Sequence, residues 1–454
     1  MKKNAGGQAG CAERIFTRMT PAEPAASPAP RHRSAMFIVF LVVAIDLLGF
    51  GIVLPLVPRY AETYLNASSD LTKGVVIGLL YSLFSVMQFV FSPVWGRISD
   101  RIGRRPILLM SLAGSVVFYA LFGFAATLPK EQAVLAIALL LLSRIGAGIA
   151  GASVSTAAAV IADCTTPEKR AKGMALIGAA FGIGFTFGPL IAWGGESSFD
   201  GAEWGPGAAA SVLSLVALIF AVFMLKETLP AGPKPPRHFF SVERTMQVLR
   251  MPAVGALVLT YFLAICAFAN FEATLSLFTE SAFGLNRSDN YLVFAYIGLV
   301  LMVAQGGIYR PLAGRRSEVY LLTLGVALML LGLGLLGAVA WFAYNLKELT
   351  GSGSAVQPYF YIAVTLAVAG FAFVNPSISA LVSKRADPTR QGEVLGVSQS
   401  FAALGRIAGP LLGSFVYYQH PSRVLPFAVA ALLLFIVIAL LPKVRTDDGA
   451  AKAK

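Results

Sequence analysis

The sequence predicts an all-α integral membrane protein in which twelve transmembrane helices form two pseudo-symmetric halves of six helices. Its composition, its apolar runs and an internal repeat each support this prediction. Apolar residue types make up 57% of the 454 residues, and charged residues only 13%, against ~25% in soluble proteins. So few charges cannot cover a water-facing surface. The composition therefore argues against a soluble enzyme, a nucleic-acid-binding protein and a disordered chain.

Apolar runs recur along the whole chain, and each is long enough to cross ~30 Å of hydrocarbon. Backbone groups in lipid must be satisfied within the segment, so the runs are expected to be helices. The twelve predicted spans are 36–58, 74–95, 106–128, 132–162, 172–195, 208–226, 253–279, 290–310, 318–343, 358–383, 392–418 and 423–442.

The polar stretches divide the chain into five parts. Residues 1–35, rich in Ala, Pro, Gly and Arg, predict a disordered cytoplasmic tail. Residues 36–226 form the first six-helix half, and 253–442 the second. The proline-containing stretch 227–252 is expected to be a cytoplasmic linker, and 443–454 a second cytoplasmic tail.

The distribution of Lys and Arg predicts the orientation. With both termini inside, inside segments hold 28 of the 36 basic residues. Two lie within spans, and the other six lie in outside loops: Arg59, Lys73, Lys130, Arg287, Lys347 and Arg423. An excess of Lys and Arg is typical of the cytoplasmic loops of membrane proteins. We therefore expect a multi-pass protein of the cell (inner) membrane with both termini in the cytoplasm.

Two motifs occur in both halves. The junction Gly96–Arg105 lies between the second and third spans, and a similar motif recurs at Gly307–Arg316, 211 residues later. In the fifth span, Gly184 and Gly188 precede Pro189, and the same Gly-x3-Gly-Pro pattern recurs in the eleventh span after 221 residues. Repeated halves are typical of secondary transporters, whose substrates bind between the repeats near the membrane midplane.

The residue types in the junction Gly96–Arg105 could hold the cytoplasmic ends of neighbouring helices together. Gly96 allows two helices to approach closely, and Gly103 permits a tight turn. Asp100 can pair with a nearby Arg or with a helix N-terminus. With Arg101, Arg104 and Arg105, these residues predict a cytoplasmic gating loop; the alternative is a topology anchor with no gating role.

These motifs resemble the major facilitator superfamily over nearly all of 36–442. Within it, the sequence is similar to proton-coupled drug antiporters of the tetracycline-efflux type. The segments that carry the resemblance are Asp46–Pro55, Ser92-Pro93 with the Gly96–Arg105 junction, Ser143–Gly148, Ile161–Asp163 and Gly184–Pro189. The resemblance implies a role for Arg144 in proton transfer and links Gly184, Gly188 and Pro189 to antiport.

Four charges lie within the predicted spans. Asp46 and Glu272 are the acids placed well inside, and Arg144 and Arg406 are the bases. A charge at the bilayer centre costs at least ~2.5–3.5 kcal/mol on insertion scales, so such residues are often functional. We expect Asp46 to pair with Arg144, and Glu272 more loosely with Arg406, and we expect this set to couple protons. The alternative is a structural ion pair.

Three amides are candidates for a substrate cavity: Asn270, Asn375 and Gln305. The commoner role of such groups is an interhelical hydrogen bond worth ~0.6–2 kcal/mol.

The leading hypothesis is a secondary active transporter that works by alternating access and exports small lipophilic or drug-like compounds in exchange for protons. An alternative is a symporter or uniporter of a small metabolite such as a sugar or organic anion. An intramembrane enzyme is a distant alternative, because Cys266 has no intramembrane His to activate it.

The expected partners are a lipid bilayer, a small-molecule substrate and protons, with no nucleic acid. No Walker motif occurs, so no ATP is expected to be used. The three His residues lie far apart, and neither a metal nor a cofactor is predicted. A monomer suffices because one chain supplies both halves.

Overall fold

The computed structural model describes residues 30–165, 167–198, 201–229, 242–313, 315–386 and 391–451. All regular structure in these ranges is helical. The α-helices are α1 (Pro30–Val53), α2 (Val57–Leu65), α3 (Asp70–Ile102), α4 (Arg104–Ala125), α5 (Ala133–Gly151), α6 (Val154–Cys164), α7 (Pro167–Ser197), α8 (Gly205–Met224), α9 (Val242–Arg250), α10 (Pro252–Phe283), α11 (Arg287–Met302), α12 (Arg310–Ala313), α13 (Glu318–Thr350), α14 (Gln357–Arg385), α15 (Gln391–Tyr417) and α16 (Leu425–Ala451).

The predicted spans all coincide with helices, as an all-α membrane protein requires. Ten segments of the described chain are long and apolar enough to cross a membrane, and α7 and α15 overlap the other two predicted spans. The fourth span is divided into α5 and α6. The eighth runs through α11, a π-helical stretch at Val303–Tyr309 and α12. The helix content and the positions of these helices agree with the predicted twelve-helix fold.

Helix also extends into the stretches predicted as tails and linker. The first helix begins at Pro30 and the last ends at Ala451. Within the linker, α9 forms a short helix. The rest of the predicted N-terminal tail, residues 1–29, lies outside the described part of the chain.

The bundle has two ends, which we name by an arginine at each. The Arg59 end holds α2 and the connection between α10 and α11, and the Arg104 end holds the Gly96–Arg105 junction. The 33 residues of α3, at ~1.5 Å per residue, link the two ends over ~50 Å. The start of α1 at Pro30 and the end of α16 at Ala451 both lie toward the Arg104 end.

The two halves repeat the same helix pairs. In the N-half, α1 to α8, α1 packs against α7 and α8, and α4 packs against α5 and α8. In the C-half, α10 to α16, α10 packs against α15 and α16, and α13 against α14 and α16. Corresponding helices thus make corresponding contacts, as the pseudo-symmetric prediction requires.

Glycines make the central crossing in each half. A Cβ at Gly188 of α7 would lie 2.7 Å from the backbone of Gly51 in α1. A Cβ at Gly409 of α15 would lie 2.5 Å from the carbonyl oxygen of Cys266 in α10. The motif that repeats after 221 residues therefore makes the same helix crossing twice, at a separation that leaves no room for a side chain.

The most extensive contacts between the halves are made by two helix pairs, α3 with α15 and α7 with α11. On α3, Gly74 and Gly78 face Ser414 and Leu411 of α15, where added Cβ atoms would come within 2.6 and 3.0 Å. One turn deeper, the Ser82 hydroxyl donates a 2.7 Å hydrogen bond to the carbonyl of Ile407. The contact between α3 and α15 therefore occupies the part of both helices nearer the Arg59 end.

Candidate transport site

Arg144 is almost completely buried, with 1% of its surface exposed. Its Nε donates a 3.2 Å hydrogen bond to the carbonyl of Leu80, and its guanidinium lies 4.7 Å from the ring centroid of Phe84. Among the described residues, its Nη2 has no hydrogen-bond partner. The α3 backbone and an aromatic face thus hold the arginine.

Asp46 lies in α1, but its side chain is outside the described part of the structure. Its pairing with Arg144 therefore stays a prediction.

Glu272 and Arg406 interact electrostatically across the space between α10 and α15. No ion pair within 4 Å and no hydrogen bond involves the Glu272 carboxylate among the described residues. Arg406 is exposed although it lies near the middle of α15. Its exposure at this depth indicates that α15 borders an open space there.

Glu272 also faces a narrow aromatic pocket with a cavity volume of about 30 Å³. The other residues that line this pocket are all apolar: Phe185, Phe268, Phe271, Leu275, Phe294, Ile297, Leu301 and Phe371. Phe185 comes from α7 of the N-half, and the rest come from α10, α11 and α14 of the C-half. We call this space the Glu272 pocket.

The wall of the Glu272 pocket is ordered by ring contacts. Phe268 and Phe371 stack face to face, with centroids 3.8 Å apart and planes 7° apart. Phe271 is tilted against Phe268 with centroids 5.7 Å apart. These ring contacts join α10 to α14. Glu272 is the one polar side chain in the lining.

The three candidate amides occupy different surroundings. Asn270 is fully buried and donates a 3.1 Å hydrogen bond to the carbonyl of Pro426. Asn375 accepts a 2.6 Å hydrogen bond from the Tyr261 hydroxyl. Gln305 is exposed in the π-helical stretch. Both asparagines therefore make hydrogen bonds between helices, and the structure does not bring the three amides together.

The Gly96–Arg105 junction is bound within the N-half by Arg104, which is 1% exposed. Its guanidinium lies 2.6 Å from the Asp100 carboxylate and 3.1 Å from that of Asp163 in α6, and it donates a 2.6 Å hydrogen bond to Ser99. Gly103 has a φ of 112°, where a side chain would be strained. A Cβ at Gly96 would meet nothing within 4 Å among the described residues, so this conformation lacks the close helix approach expected there.

Glu227, which follows α8, completes this junction, and sequence reasoning missed it. Its carboxylate accepts backbone N–H bonds from Arg104 at 2.8 Å and Arg105 at 3.1 Å, and further bonds from Thr228 and Leu229. Burial acts to raise the pKa of Glu227, but these hydrogen bonds outweigh burial and hold the pKa below its usual value. An acid directly after an apolar span is a weak signal in a sequence, because only the fold brings it to the start of α4.

Ion pairs join the halves at the Arg59 end. Arg59 of α2 lies 3.4 Å from the Glu280 carboxylate and donates a 2.6 Å hydrogen bond to the carbonyl of Leu285. Arg287 of the C-half lies 2.8 Å from Glu203 and 3.5 Å from Glu196, both in the N-half. Each half thus supplies one arginine to the other. We call these residues the inter-half clamp.

A further bond supports the clamp, since the Tyr418 hydroxyl donates a 2.5 Å hydrogen bond to Glu62 of the opposite half. Both clamp arginines belong to the six basic residues that the topology prediction placed in outside loops. Their position in loops that otherwise carry few basic residues was the signal in the sequence, but nothing in the sequence identified their acidic partners.

Toward the Arg104 end, the helices are less closely packed. A Cβ added at Gly396 of α15 or at Gly96 of α3 would have no atom of the described residues within 4 Å.

The sequence matches the family model of the Major Facilitator Superfamily over residues 39–346 and 327–454. It is 30% identical to human major facilitator superfamily domain-containing protein 10, with 91% of this chain and 92% of the relative covered. It is also 30% identical to the class C tetracycline resistance protein of Escherichia coli, with 86% and 92% covered.

Among solved structures, the fold is similar to the crystal structure of the human organic anion transporter MFSD10 (TETRAN). The TM-score is 0.63 at 28% identity, with 91% of this chain and all of that chain covered. A D-xylose-proton symporter superposes with a TM-score of 0.69 at 16% identity, with 90% and 98% covered, which supports the fold alone.

Proposed function

The chain belongs to the Major Facilitator Superfamily of membrane transporters, and from this membership we propose that it exports small lipophilic or drug-like compounds in exchange for protons. The observation that carries the proposal is Glu272, an acid without an ion-pair partner within 4 Å among the described residues, in an aromatic pocket between the halves. A carboxylate in such a place can bind and release a proton as its surroundings change.

In the proposed cycle, the halves 36–226 and 253–442 rock about the central charges. The present conformation holds them together by the inter-half clamp at the Arg59 end. Opening that end and closing the Arg104 end would expose the site to the other side of the membrane. The Gly96–Arg105 junction would then act as the gating loop, and the glycine crossings would keep each half rigid.

Proton coupling is assigned to Asp46 and Glu272, with Arg144 and Arg406 as their basic neighbours. When the acids release their protons, the arginines stabilise the resulting negative charges. When the acids are protonated, the site carries an excess of positive charge, and its affinity for a charged substrate changes. This linkage lets a proton gradient drive transport.

The proposed orientation places the Arg104 end in the cytoplasm, in accordance with the excess of Lys and Arg in its loops. The protein would lie in the cell (inner) membrane with both termini cytoplasmic and would act as a monomer, because one chain supplies both halves of the site.

A second candidate function is transport of an organic anion. The exposed Arg406 favours it, because a guanidinium that faces open space can bind a carboxylate or sulfonate. The similarity to the human organic anion transporter MFSD10 points in the same direction.

The test uses purified protein in liposomes that contain a pH-sensitive dye. An inward proton gradient is imposed, and cationic, neutral and anionic compounds are added in turn. We expect substrate to move against the protons in the wild type. Asp46→Asn should abolish gradient-driven movement at normal expression, whereas Glu131→Gln, at an exposed turn, should leave it unchanged.

Substrate movement in the same direction as the protons, or independent of them, would contradict the antiport proposal. Gradient-driven movement of anions that is lost in Arg406→Ala would favour the second candidate. Active transport that survives in Asp46→Asn would remove Asp46 from proton coupling.

A further inference from the structure

We propose that a basic cluster at the Arg104 end of the C-half binds the phosphate headgroup of an anionic phospholipid. The cluster consists of Arg310, which begins α12, and of Arg315 and Arg316, which lie between α12 and α13. We call it the C-half cluster. Lipid binding there requires only that the chain spans a bilayer, and it does not depend on which compound is transported.

The C-half cluster carries charge that the described part of the chain does not neutralise. All three arginines are exposed, and none of their side chains forms an ion pair or a hydrogen bond with another described residue. Glu318 is the acid nearest to them in the sequence. Its carboxylate is bound instead by Lys384, whose Nζ lies 2.5 Å away. The cluster therefore presents three positive charges to its surroundings.

The internal repeat shows that the same position is neutralised in the N-half. The offset of 211 residues aligns Arg315 with Arg104. Arg104 is buried against the carboxylates of Asp100 and Asp163. The carboxylate of Glu227 accepts the hydrogen bond of its backbone N–H. The N-half arginine thus finds three acids within its own half.

None of these three acids has an acidic counterpart in the C-half. Pro311 stands 211 residues after the first of them. The helix α14 is the counterpart of α6, which carries the second acid, and it ends with Lys384 and Arg385. Lys443 directly follows the last predicted span, as the third acid directly follows the sixth. The C-half keeps the arginines of the repeat without its acids, which favours a counter-charge from outside the chain.

The C-half cluster lies at the start of a helix that faces lipid. The helix α13 packs against α10, α14 and α16 of its own half. It exposes large apolar or aromatic side chains, namely Tyr320, Leu331, Leu335, Trp341 and Phe342. A large exposed apolar surface of this kind marks a membrane contact. The arginines that precede the first turn of α13 therefore lie at the level of the lipid headgroups, where phosphate is the abundant anion.

A ring contact fixes one guanidinium of the cluster at this level. The Arg316 guanidinium lies 5.6 Å from the ring centroid of Tyr320, which is half exposed. Tyrosines of membrane proteins concentrate at the interface between hydrocarbon and water. A guanidinium can donate two parallel N–H bonds to one phosphate. Arg316 is thus held where a lipid phosphate can bind, and Arg315 beside it adds a second donor.

The experiment measures the binding of single lipid molecules to the purified full-length protein in detergent by native mass spectrometry. The two probes have identical acyl chains, and they are the anionic phosphatidylglycerol and the zwitterionic phosphatidylcholine. We expect the first phosphatidylglycerol to bind the wild type at least about tenfold more tightly than the first phosphatidylcholine. The double variant Arg315→Gln/Arg316→Gln should weaken phosphatidylglycerol binding at least about fivefold and leave phosphatidylcholine binding unchanged.

Two further variants separate the C-half cluster from a general effect of charge. Arg250→Gln removes an exposed arginine of α9 at the same end of the bundle and should leave both affinities unchanged. Pro311→Asp places an acid where the N-half has Asp100 and should weaken phosphatidylglycerol binding at least about threefold. Each variant is used only if it elutes as a single symmetric peak.

Equal affinities of the two lipids for the wild type would overturn the proposal. An unchanged preference in Arg315→Gln/Arg316→Gln, or an equal loss in Arg250→Gln, would do so as well. Excess glycerol 3-phosphate should not displace the lipid, because it lacks acyl chains to contact α13, and displacement would assign the cluster to soluble anions instead. Because no transport is measured, failure of the antiport proposal would leave this result unaffected.

Discussion

At the scale of single residues, Gly103 and Glu227 explain how a charged junction is held at the edge of an apolar bundle. Gly103 has a positive φ of 112°, and a Cβ there would come within 2.3 Å of the Glu227 carboxylate. Glu227 in turn accepts the first N–H groups of α4, where a negative charge is favoured by the helix dipole. The two residues therefore depend on each other.

The lowered pKa of Glu227 predicts how stability depends on pH. An acid whose pKa is lower in the folded state than in the unfolded chain stabilises the folded state above the unfolded pKa of ~4.3. That contribution is lost as the pH falls through the folded pKa. We expect Glu227→Gln to lower the Tm by about 1–4 °C at pH 7, with a smaller difference near pH 4.

The measurement is thermal unfolding in detergent between pH 7 and pH 3.5, with Glu131→Gln as the control. A Tm difference that stays constant, or grows, toward acidic pH would show that the Glu227 charge is not the stabilising feature.

At the scale of helices, the glycine motif of α7 and its repeat in α15 act as packing surfaces. Gly188 meets the α1 backbone, and Gly409 meets the α10 backbone. Gly184 and Gly188, which the resemblance links to antiport, therefore lie at a helix crossing that requires backbone contact, and the repeat in α15 makes the corresponding crossing in the C-half.

Matched glycines on the same helices test this role. Gly188→Ala and Gly409→Ala insert a methyl group against backbone and should destabilise the protein by about 1–3 kcal/mol. Gly182→Ala in α7 and Gly396→Ala in α15, where a Cβ would meet nothing within 4 Å, should leave stability unchanged or raise it by up to about 1 kcal/mol. Thermal unfolding of the four variants distinguishes them, and similar shifts in all four would argue against the crossings.

At the scale of the whole molecule, the inter-half clamp joins the two halves at the Arg59 end. The arginines of the clamp reach across the interface in opposite directions, Arg59 to the C-half and Arg287 to the N-half. The bonds of Arg104 to Asp163 and of Glu227 to α4 stay within the N-half. Loss of the clamp should therefore favour opening of the Arg59 end.

Arg287→Ala removes the contacts with Glu196 and Glu203 and should shift the opening equilibrium by about 1–2 kcal/mol, or about 5- to 30-fold. Spin labels at Thr127 and Leu349, exposed positions near the Arg59 end of either half, report the distance by double electron–electron resonance after the native cysteines are replaced. We expect a larger long-distance population. Lys130→Ala, an exposed residue outside the clamp, is the control, and an unchanged distribution in Arg287→Ala would exclude the clamp as the closing element.

Several residues of the candidate site could be singled out from the sequence because their signals are local. Charges such as Glu272 and Arg406 stand out against long apolar runs, and the glycine motifs stand out by their spacing. The partners of these residues were not predictable. Asn270 and Asn375 were candidates for the cavity, but their hydrogen bonds join helices instead. Residues that meet in this bundle are often more than a hundred positions apart, and one sequence contains no record of those contacts.

The sequence by itself determined the fold class, the twelve spans and the repeat between the halves, because a bilayer imposes helix length and composition on each segment separately. Only the tertiary structure decided that Arg59 and Arg287 join the halves, that Glu227 caps α4 and that five Phe rings surround Glu272. These features depend on how helices rotate and cross. Such packing is a property of many side chains acting together, and no local pattern encodes it.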